Sequence, residues 1–284
     1  MDNVFNRHGE TAWCPGCGNF GLRTIMLKAL AELGLKQEEV VFVSGIGQAA
    51  KAPQYYNTHY FNGLHGRSLP PATGILAANP NLKIIVESGD GDMYGEGGNH
   101  FLHSIRRNPN ITVIVHNNMI YGLTKGQASP TTPIGMHTPI QVDGVFESPI
   151  NPLAIAISMD ASFVARGSVG EAERTKEIIK KAISHKGFSL VDVFQACVSF
   201  NKINTHTWFR DHTYFIEENH NVKDRIAAFT RALETDPMPL GIFYVNENKP
   251  VFEERLAPYR NSKEPLYKRN ADISKIKELL AAKK

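Results

Sequence analysis

The sequence predicts an α/β fold in which a doubly wound, mostly parallel sheet is flanked by helices. Three observations support this prediction. Apolar runs of strand length alternate along the chain with segments in which apolar residues recur at helical spacing. The strand-length runs are apolar at nearly every position, as expected for parallel strands that helices cover on both faces. Several runs end in polar turns, and ligands bind at the carboxyl ends of the strands in such sheets.

Each element has its own pattern. The first helix, over residues 20–34, has apolar residues at helical spacing and ends at Gly34, a common helix stop. The helix over residues 97–108 ends before Pro109, which cannot continue it. Further helices are expected at residues 153–159 and 171–186, and strands at residues 39–43, 83–87, 111–115, 162–166 and 189–194.

Two stretches interrupt this alternation. Residues 129–152 contain five prolines and two glycines without clear periodicity, so we expect a long loop of the kind that often acts as a lid. The chain beyond residue 249 ends in a basic amphipathic helix over residues 273–283. We therefore expect one α/β domain over residues 1–250 and an extension over residues 251–284 that packs on a partner subunit.

Length and composition narrow the classes of function. The 284 residues can bury a substantial core. A net charge of +3 favours neither nucleic acid nor a membrane surface as a partner, and no apolar run reaches the ~20 residues that span a bilayer. The polar start of the chain contains no apolar signal core, so we expect a cytoplasmic protein. Three cysteines make a poor disulfide framework and suggest metal or redox chemistry instead.

The most informative motif follows two neighbouring strands. Gly89-Asp90-Gly91 ends one strand, and Asn117-Asn118 ends the next after twenty-five intervening residues, which is the spacing that holds a magnesium diphosphate. The Asp90 carboxylate and the Asn118 side-chain carbonyl are hard oxygen ligands, and the main-chain carbonyl of Ile120 can complete the protein's share of Mg²⁺ ligands. The glycines let main-chain N–H groups approach the phosphates closely.

This pattern resembles the thiamine diphosphate (TPP) binding motif, and the resemblance extends to other segments. Over most of residues 8–250 the chain is similar to the β subunit of a 2-oxoacid:ferredoxin oxidoreductase, most of all to the 2-oxoglutarate branch. The combination is far more specific than a lone Gly-Asp-Gly, which is a common turn. The motifs are Trp13-Cys14-Pro15-Gly16-Cys17-Gly18, His65-Gly66-Arg67, Gly89-Asp90-Gly91-Asp92, Gly97-Gly98-Asn99-His100, Asn117-Asn118 and Ile120-Tyr121-Gly122-Leu123-Thr124-Lys125-Gly126-Gln127.

The resemblance also implies the residues of the site. His65 and Leu123 are placed beside the cofactor and the substrate, although a loop histidine outside such a motif is more often merely solvated. Lys51 and Lys125 follow cofactor motifs and could bind a substrate carboxylate, whereas an isolated lysine is usually surface charge. The implied cofactor-binding residues are Gly45, Ile46, His65, Gly89, Asp90, Gly91, Asp92, Asn118, Ile120, Tyr121, Gly122 and Leu123.

The cysteines leave alternatives open. Cys14-Pro15-Gly16-Cys17 could be a thioredoxin-like redox pair, but that motif normally follows a strand, and here a short polar tail precedes it. It could be half of a zinc site, with Cys197 and a histidine as further ligands. In the family, four cysteines bind a [4Fe–4S] cluster, and Cys14, Cys17 and Cys197 match three of them.

The fourth cysteine of the family pattern is missing. Gln48 follows Gly45-Ile46-Gly47 where many members have cysteine. A cluster ligated by four thiolates of this chain is therefore impossible. The fourth iron has another ligand, for which Gln48 and His59 are the nearby candidates, or the cluster is labile or absent.

The resemblance implies a reaction and partners. The family converts a 2-oxoacid, coenzyme A and oxidised ferredoxin into acyl-CoA, CO₂ and reduced ferredoxin. The family's catalytic glutamate comes from a second domain, so we expect this chain to need an α subunit, possibly fused to a γ domain. Without a cluster the same site could serve a non-redox TPP-dependent decarboxylase or carboligase, which is the alternative. A non-catalytic magnesium or nucleotide-binding module is the third possibility.

The sequence favours 2-oxoglutarate over pyruvate as the substrate. A second, distal carboxylate needs its own cation, which Lys51 or Lys125 could supply. The run Phe61-Asn62-Gly63-Leu64-His65-Gly66-Arg67 looks most like the 2-oxoglutarate branch. Broad use of 2-oxoacids is the fallback.

Overall fold

The computed structural model describes residues 3–283 and has one mixed sheet at its centre. In the described part of the chain the strands are β1 (Val40–Ser44), β2 (His59–Asn62), β3 (Lys83–Gly89), β4 (Ile111–Asn117), β5 (Phe163–Ser168), β6 (Ser189–Phe194), β7 (Thr213–Phe215) and β8 (Met238–Val245). They are ordered β2-β1-β3-β4-β6-β5-β8-β7, and every neighbouring pair is parallel except β5 and β8.

Helices cover both faces of the sheet. The helices are α1 (Gly18–Glu32), α2 (Leu69–Ala78), α3 (Gly98–Arg107), α4 (Pro152–Ser158), α5 (Ala172–Ser184), α6 (His206–Asp211), α7 (Arg225–Ala232) and α8 (Ile273–Ala281). One apolar core lies between one face of the sheet and α2, α3, α4 and α7, and a second lies between the opposite face and α1 and α5. The predicted doubly wound, mostly parallel α/β fold is thus confirmed.

The central strands are buried over their whole length. All residues of β1, β4, β5 and β6 are buried, which agrees with the continuous apolar runs of the sequence. Because β3 pairs with β1 on one side and with β4 on the other, its carboxyl end lies between those of two parallel neighbours. The turn after β3 therefore opens at the edge of the sheet where ligands bind.

The segment expected to be a long loop has no helix or strand before α4. Its ends meet, since the Ile150 amide donates to the Pro130 carbonyl at 2.8 Å. Ser129, Thr131 and Thr132 at its start are buried, whereas the tip between them and α4 carries exposed apolar side chains. These are Ile134, Ile140, Val142 and Phe146.

The end of the chain packs on the domain through Val251 and Tyr259, which are buried, whereas its last helix does not. Short 3₁₀ turns lie between residues 253 and 268, and α8 follows as the expected terminal helix. Every residue of α8 is exposed. No helix among residues 3–283 is both long and apolar enough to cross a membrane.

Candidate active site

A cleft opens at the carboxyl ends of β3 and β4, between the loop after β1 and the segment after β4. The structure brings most of the predicted cofactor residues together around it. The lining residues are Ile46, Gly47, Gln48, Ala49, His65, Gly89, Asp90, Gly91, Asp92, His116, Asn118, Ile120, Tyr121, Gly122, Leu123 and Thr124.

Asp90 is buried at the base of the cleft. Its Oδ2 accepts hydrogen bonds from the hydroxyls of Ser129 at 2.6 Å and Thr131 at 2.7 Å. Burial raises the pKa of the Asp90 carboxyl to about 6 despite these bonds. Within residues 3–283 no cationic side chain pairs with it. A buried carboxylate that meets only neutral donors suits a bound cation, which would offset the cost of burying the charge.

Asn118 and Ile120 lie opposite Asp90 on the segment after β4. The Asn118 Oδ1 accepts a hydrogen bond from the Ile120 amide at 3.0 Å, which orients the side chain and leaves a second lone pair on the oxygen. The main-chain carbonyl of Asn118 accepts a hydrogen bond from the Asn201 side-chain amide at 3.0 Å. The carboxylate and carbonyl oxygens of Asp90, Asn118 and Ile120 are thus of the kind that Mg²⁺ binds in proteins.

The Asp92 carboxylate, two residues after Asp90, accepts hydrogen bonds from other segments of the chain. Its Oδ1 accepts hydrogen bonds from the amides of Ile46 at 3.0 Å and Gly66 at 2.7 Å. The Ser88 hydroxyl donates to its other oxygen. Asp92 therefore ties the loop after β1 and the loop before α2 to the turn after β3. Gly45 is required beside it, because a Cβ at Gly45 would lie 2.0 Å from Asp92 Oδ2.

His65 lies on the rim of the cleft among acidic groups. Its Nδ1 is 2.8 Å from Asp92 Oδ1 and 3.3 Å from Glu96 Oε2, although the angles do not suit a hydrogen bond. The hydroxyl of Tyr121 donates to the Glu96 carboxylate at 3.0 Å. The pKa of Tyr121 is raised, mainly because the hydroxyl is buried and secondly because the negative charge of Glu96 is close to it. The rim thus places a histidine and a tyrosine beside the Glu96 carboxylate, which is hydrogen-bonded by the tyrosine.

The cysteines approach one another beside this cleft from two distant segments. The Gly18 amide, next to Cys17, donates to the Ala196 carbonyl, next to Cys197, at 3.2 Å. Burial raises the pKa of the Cys17 thiol. The Ser199 hydroxyl donates to Cys14 Sγ at 3.0 Å. A Cβ at Gly122, which lines the cleft, would lie 3.8 Å from Cys197 Sγ. The cysteine site and the cofactor cleft are therefore adjacent.

The cysteine site does not resemble a site for a single ion. Within residues 3–283, no three His, Cys, Asp or Glu side chains are grouped closely enough to hold one metal ion.

Comparisons with known proteins decide the family. The C-terminal TPP-binding domain of thiamine pyrophosphate enzymes matches residues 42–193, and the C-terminal part of the pyruvate ferredoxin oxidoreductase β subunit matches residues 197–261. The 2-oxoacid:ferredoxin oxidoreductase subunit β of Saccharolobus solfataricus is 44% identical over 259 residues, which cover 86% of this chain and 85% of that protein. This chain belongs to the 2-oxoacid:ferredoxin oxidoreductase β subunits.

Two further relatives carry 2-oxoglutarate in their names. The 2-oxoglutarate synthase subunit KorB of Methanocaldococcus jannaschii is 36% identical over 245 residues, or 86% of this chain and 90% of that protein. A solved structure of the 2-oxoglutarate:ferredoxin oxidoreductase from Magnetococcus marinus, with 2-oxoglutarate, coenzyme A and succinyl-CoA bound, superposes with a TM-score of 0.91. It is 36% identical and covers 98% of this chain and 97% of its own.

Membership in the family establishes three properties of the β subunit. It has a thiamine diphosphate-binding domain. It is part of an oxidoreductase that acts on 2-oxoacids with an iron–sulfur protein as acceptor. As a β subunit, it works with an α partner.

Three predicted residues of the β subunit do not line the cleft. Gly45 lies behind it, against Asp92. Lys51 lies in the 3₁₀ helix Ala49–Tyr55, two residues beyond the lining residue Ala49. Lys125 is exposed next to the lining residue Thr124 and has a positive φ of 78°. Both lysines are therefore close to the cleft along the chain without forming its wall.

Gln48 lies where the cleft meets the cysteine segment. The Trp13 indole N–H, one residue before Cys14, donates to the Gln48 carbonyl at 2.8 Å. The Gln48 Oε1 is buried, and within residues 3–283 it has no hydrogen-bond partner. His59, the other candidate for the fourth ligand, begins the exposed edge strand β2.

The sequence did not identify several residues of the site. Ser129 and Thr131 reach Asp90 only because the long loop folds back onto the strand ends. Glu96 and His116 adjoin the motifs in sequence, and the helical turn after β3 and strand β4 bring them to the cleft. Glu96 directly precedes Gly97-Gly98, and His116 is the one ionisable residue of β4 and directly precedes Asn117-Asn118, which are the signals that could have identified them.

Proposed function

We propose that the cleft binds the diphosphate of thiamine diphosphate through Mg²⁺, with Asp90, Asn118 and the carbonyl of Ile120 as the protein's ligands. The buried Asp90 carboxylate without a cationic partner is the observation that carries this proposal. Beside it, a Cβ at Gly89 would have only the Ala49 Cβ within 4 Å, at 3.8 Å, so the main chain is open there. Ile46, Tyr121, Gly122 and Leu123 form the apolar and main-chain walls against which the rest of the cofactor would lie.

Cys14, Cys17 and Cys197 would hold a [4Fe–4S] cluster next to this cofactor. Cys197 lies beside Gly122, and the segments of Cys14 and Cys17 contact the segment of Cys197, so a short path would connect the two sites. The fourth iron has a ligand other than cysteine. The buried, unpartnered Oε1 of Gln48 makes this residue the better candidate than exposed His59.

When bound, thiamine diphosphate supplies the electron sink that decarboxylation of a 2-oxoacid requires. The residues of this chain bind and orient the reactants. His65 faces the cleft from its rim and is held near Asp92 and Glu96, where it can donate to the oxygen on which charge develops. Leu123 covers the substrate side of the cleft, and Lys51 and Lys125 attract carboxylates to its mouth.

The complete reaction requires other molecules. An α subunit, separate or fused to a γ domain, would supply the acidic group that activates the cofactor's pyrimidine ring. Coenzyme A would take the acyl group, and ferredoxin would take two electrons one at a time. The resulting enzyme is a cytoplasmic heterodimer, or a dimer of heterodimers, that converts a 2-oxoacid to acyl-CoA and CO₂.

We propose 2-oxoglutarate as the preferred substrate. The M. jannaschii relative and the M. marinus structure are both named for this substrate. A distal carboxylate would find a cation in Lys51 or Lys125. We expect the assembled complex to show a higher kcat/KM for 2-oxoglutarate than for pyruvate in steady-state assays with both substrates. A clear preference for pyruvate would rule out this assignment and leave the family-level reaction intact.

A further inference from the structure

Asn19 is a buried polar residue at the start of α1, two positions after Cys17. Its Oδ1 accepts a hydrogen bond from the Gln195 side-chain amide at 2.7 Å and lies 2.9 Å from His116 Nδ1. Because a carbonyl oxygen can only accept, His116 must donate from Nδ1. One side-chain oxygen thus joins two buried partners, and Gln195 and His116 are as inaccessible as Asn19 itself.

The partners of Asn19 belong to the segments that carry the two proposed cofactor sites. Gln195 follows β6 and precedes Cys197 by two residues. His116 lies near the end of β4, two residues before Asn118, and lines the cofactor cleft. Asn19 therefore connects the segments of Cys17, Cys197 and Asn118.

Close main-chain packing reinforces this junction. The Gly18 amide donates to the Ala196 carbonyl at 3.2 Å. A Cβ at Gly18 would lie 2.5 Å from Gln195 Cβ, so the start of α1 and the end of β6 touch directly. The cysteine-bearing segments can then move only together.

Asn19 is also next to a cysteine at the start of α1. Helix α1 begins at Gly18, directly after Cys17, and the Phe20 amide donates to the Cys17 carbonyl at 3.2 Å. Groups that hold the ligands of a metal site orient those ligands and tune the metal. The side chain of Asn19 helps to fix the helix start that follows Cys17.

We propose that Asn19 is a positioning residue that aligns the cysteine site with the cofactor cleft through Gln195 and His116. This inference rests on the proposed function, because it requires a cluster at Cys14, Cys17 and Cys197. Asn19 contacts neither Asp90 nor Asn118, so we expect its loss to affect electron transfer more than the binding of thiamine diphosphate.

The test uses Asn19→Ala in the assembled complex, prepared without oxygen beside the wild type. Loss of the side-chain contacts should shift the midpoint potential of the cluster and change its electron paramagnetic resonance spectrum. Replacing such outer partners of a metal site typically costs roughly 10- to 100-fold in activity. We expect a fall of that size in kcat, with unchanged KM and unchanged affinity for thiamine diphosphate. Asn81→Ala is the matched control, because within residues 3–283 the side chain of the exposed Asn81 donates only to the Lys263 carbonyl, at 3.1 Å.

Gln195→Leu provides a second test should Asn19→Ala fail to assemble. It removes one of the two donors to Asn19 Oδ1 and should cause a smaller change of the same kind. Wild-type potential, spectrum and kcat in either assembled variant would overturn the inference. It would also be overturned if both variants lost thiamine diphosphate to the same extent as they lost iron. A wild-type complex without iron would instead refute the proposed cluster, and the inference with it.

Discussion

Two aspartates of one turn serve different purposes in this β subunit. Asp92 accepts hydrogen bonds from two loop amides and from Ser88, so it organises the protein. Asp90 meets hydroxyls from one loop and, within residues 3–283, no cationic side chain, so its charge is available for a metal ion. The sequence predicted both as cofactor residues because they share one motif. Only the folded chain separates them, since the partners of Asp92 are 26 and 46 residues away.

Replacing Asp90 tests the metal site. Asp90→Ala removes the buried carboxylate, and we expect thiamine diphosphate binding in the presence of Mg²⁺ to weaken by more than the roughly 10- to 100-fold typical of outer partners. Affinity can be measured by titration calorimetry on the assembled complex. Asp211→Ala is the control, because this exposed aspartate pairs with the neighbouring Arg210 at the surface. Wild-type affinity in Asp90→Ala would show that the metal is held elsewhere.

At the scale of elements, the site depends on the connection from β3 to α3. Gly91–Glu96 forms a π-helical turn that leads from Asp90 to α3. The sequence predicted β3 and α3 but not this turn, because its wider hydrogen-bond spacing has no pattern of its own in the sequence. The exposed edge strand β2 was also not predicted, since it lacks an apolar run. Strands β1, β3, β4, β5 and β6 were predicted because burial on both faces leaves continuous apolar runs. Strands β7 and β8 and helices α2, α6 and α7 were not predicted. In β8, Pro239 and Gly241 interrupt the apolar run.

The packing of this turn can be tested with two glycines. A Cβ at Gly91 would lie 2.2 Å from the Tyr121 ring, so Gly91→Ala must displace Tyr121 from the cleft. We expect a lower free energy of unfolding by about 1–3 kcal/mol together with loss of thiamine diphosphate binding. In Gly74→Ala, within α2, a Cβ would meet no atom within 4 Å. This control should gain up to about 1 kcal/mol from its better helix propensity. Equal thermal unfolding midpoints for the two variants would contradict the packing described.

At the scale of the whole molecule, exposed apolar side chains surround the mouth of the cleft. Ile46, Leu64 and Leu123 are exposed at or near the mouth of the cleft. The tip of the long loop and helix α8 add further exposed apolar side chains. Composition and periodicity predicted the α/β domain, but they could not predict which surfaces remain uncovered, because that depends on how loops and helices pack. We interpret the uncovered mouth as the face on which the α subunit completes the site.

The isolated β subunit should therefore be inactive. We expect it to show no substantial turnover of 2-oxoacid, coenzyme A and ferredoxin, and we expect activity to appear when the α subunit is added. Titration of one subunit with the other, followed by ferredoxin reduction, measures this. Turnover by the β subunit alone would show that this chain contains a complete active site.

The most direct test of the central claim is the visible absorbance spectrum of the complex purified without oxygen, taken with iron and sulfide analysis. A thiamine diphosphate site beside a cluster predicts brown protein whose broad absorbance is bleached when the 2-oxoacid and coenzyme A are added, because electrons from the substrate reduce the cluster. The Asp90→Ala complex should be equally brown and should not bleach. Colourless wild-type protein that still binds thiamine diphosphate, or brown protein that its substrates do not bleach, would contradict the account.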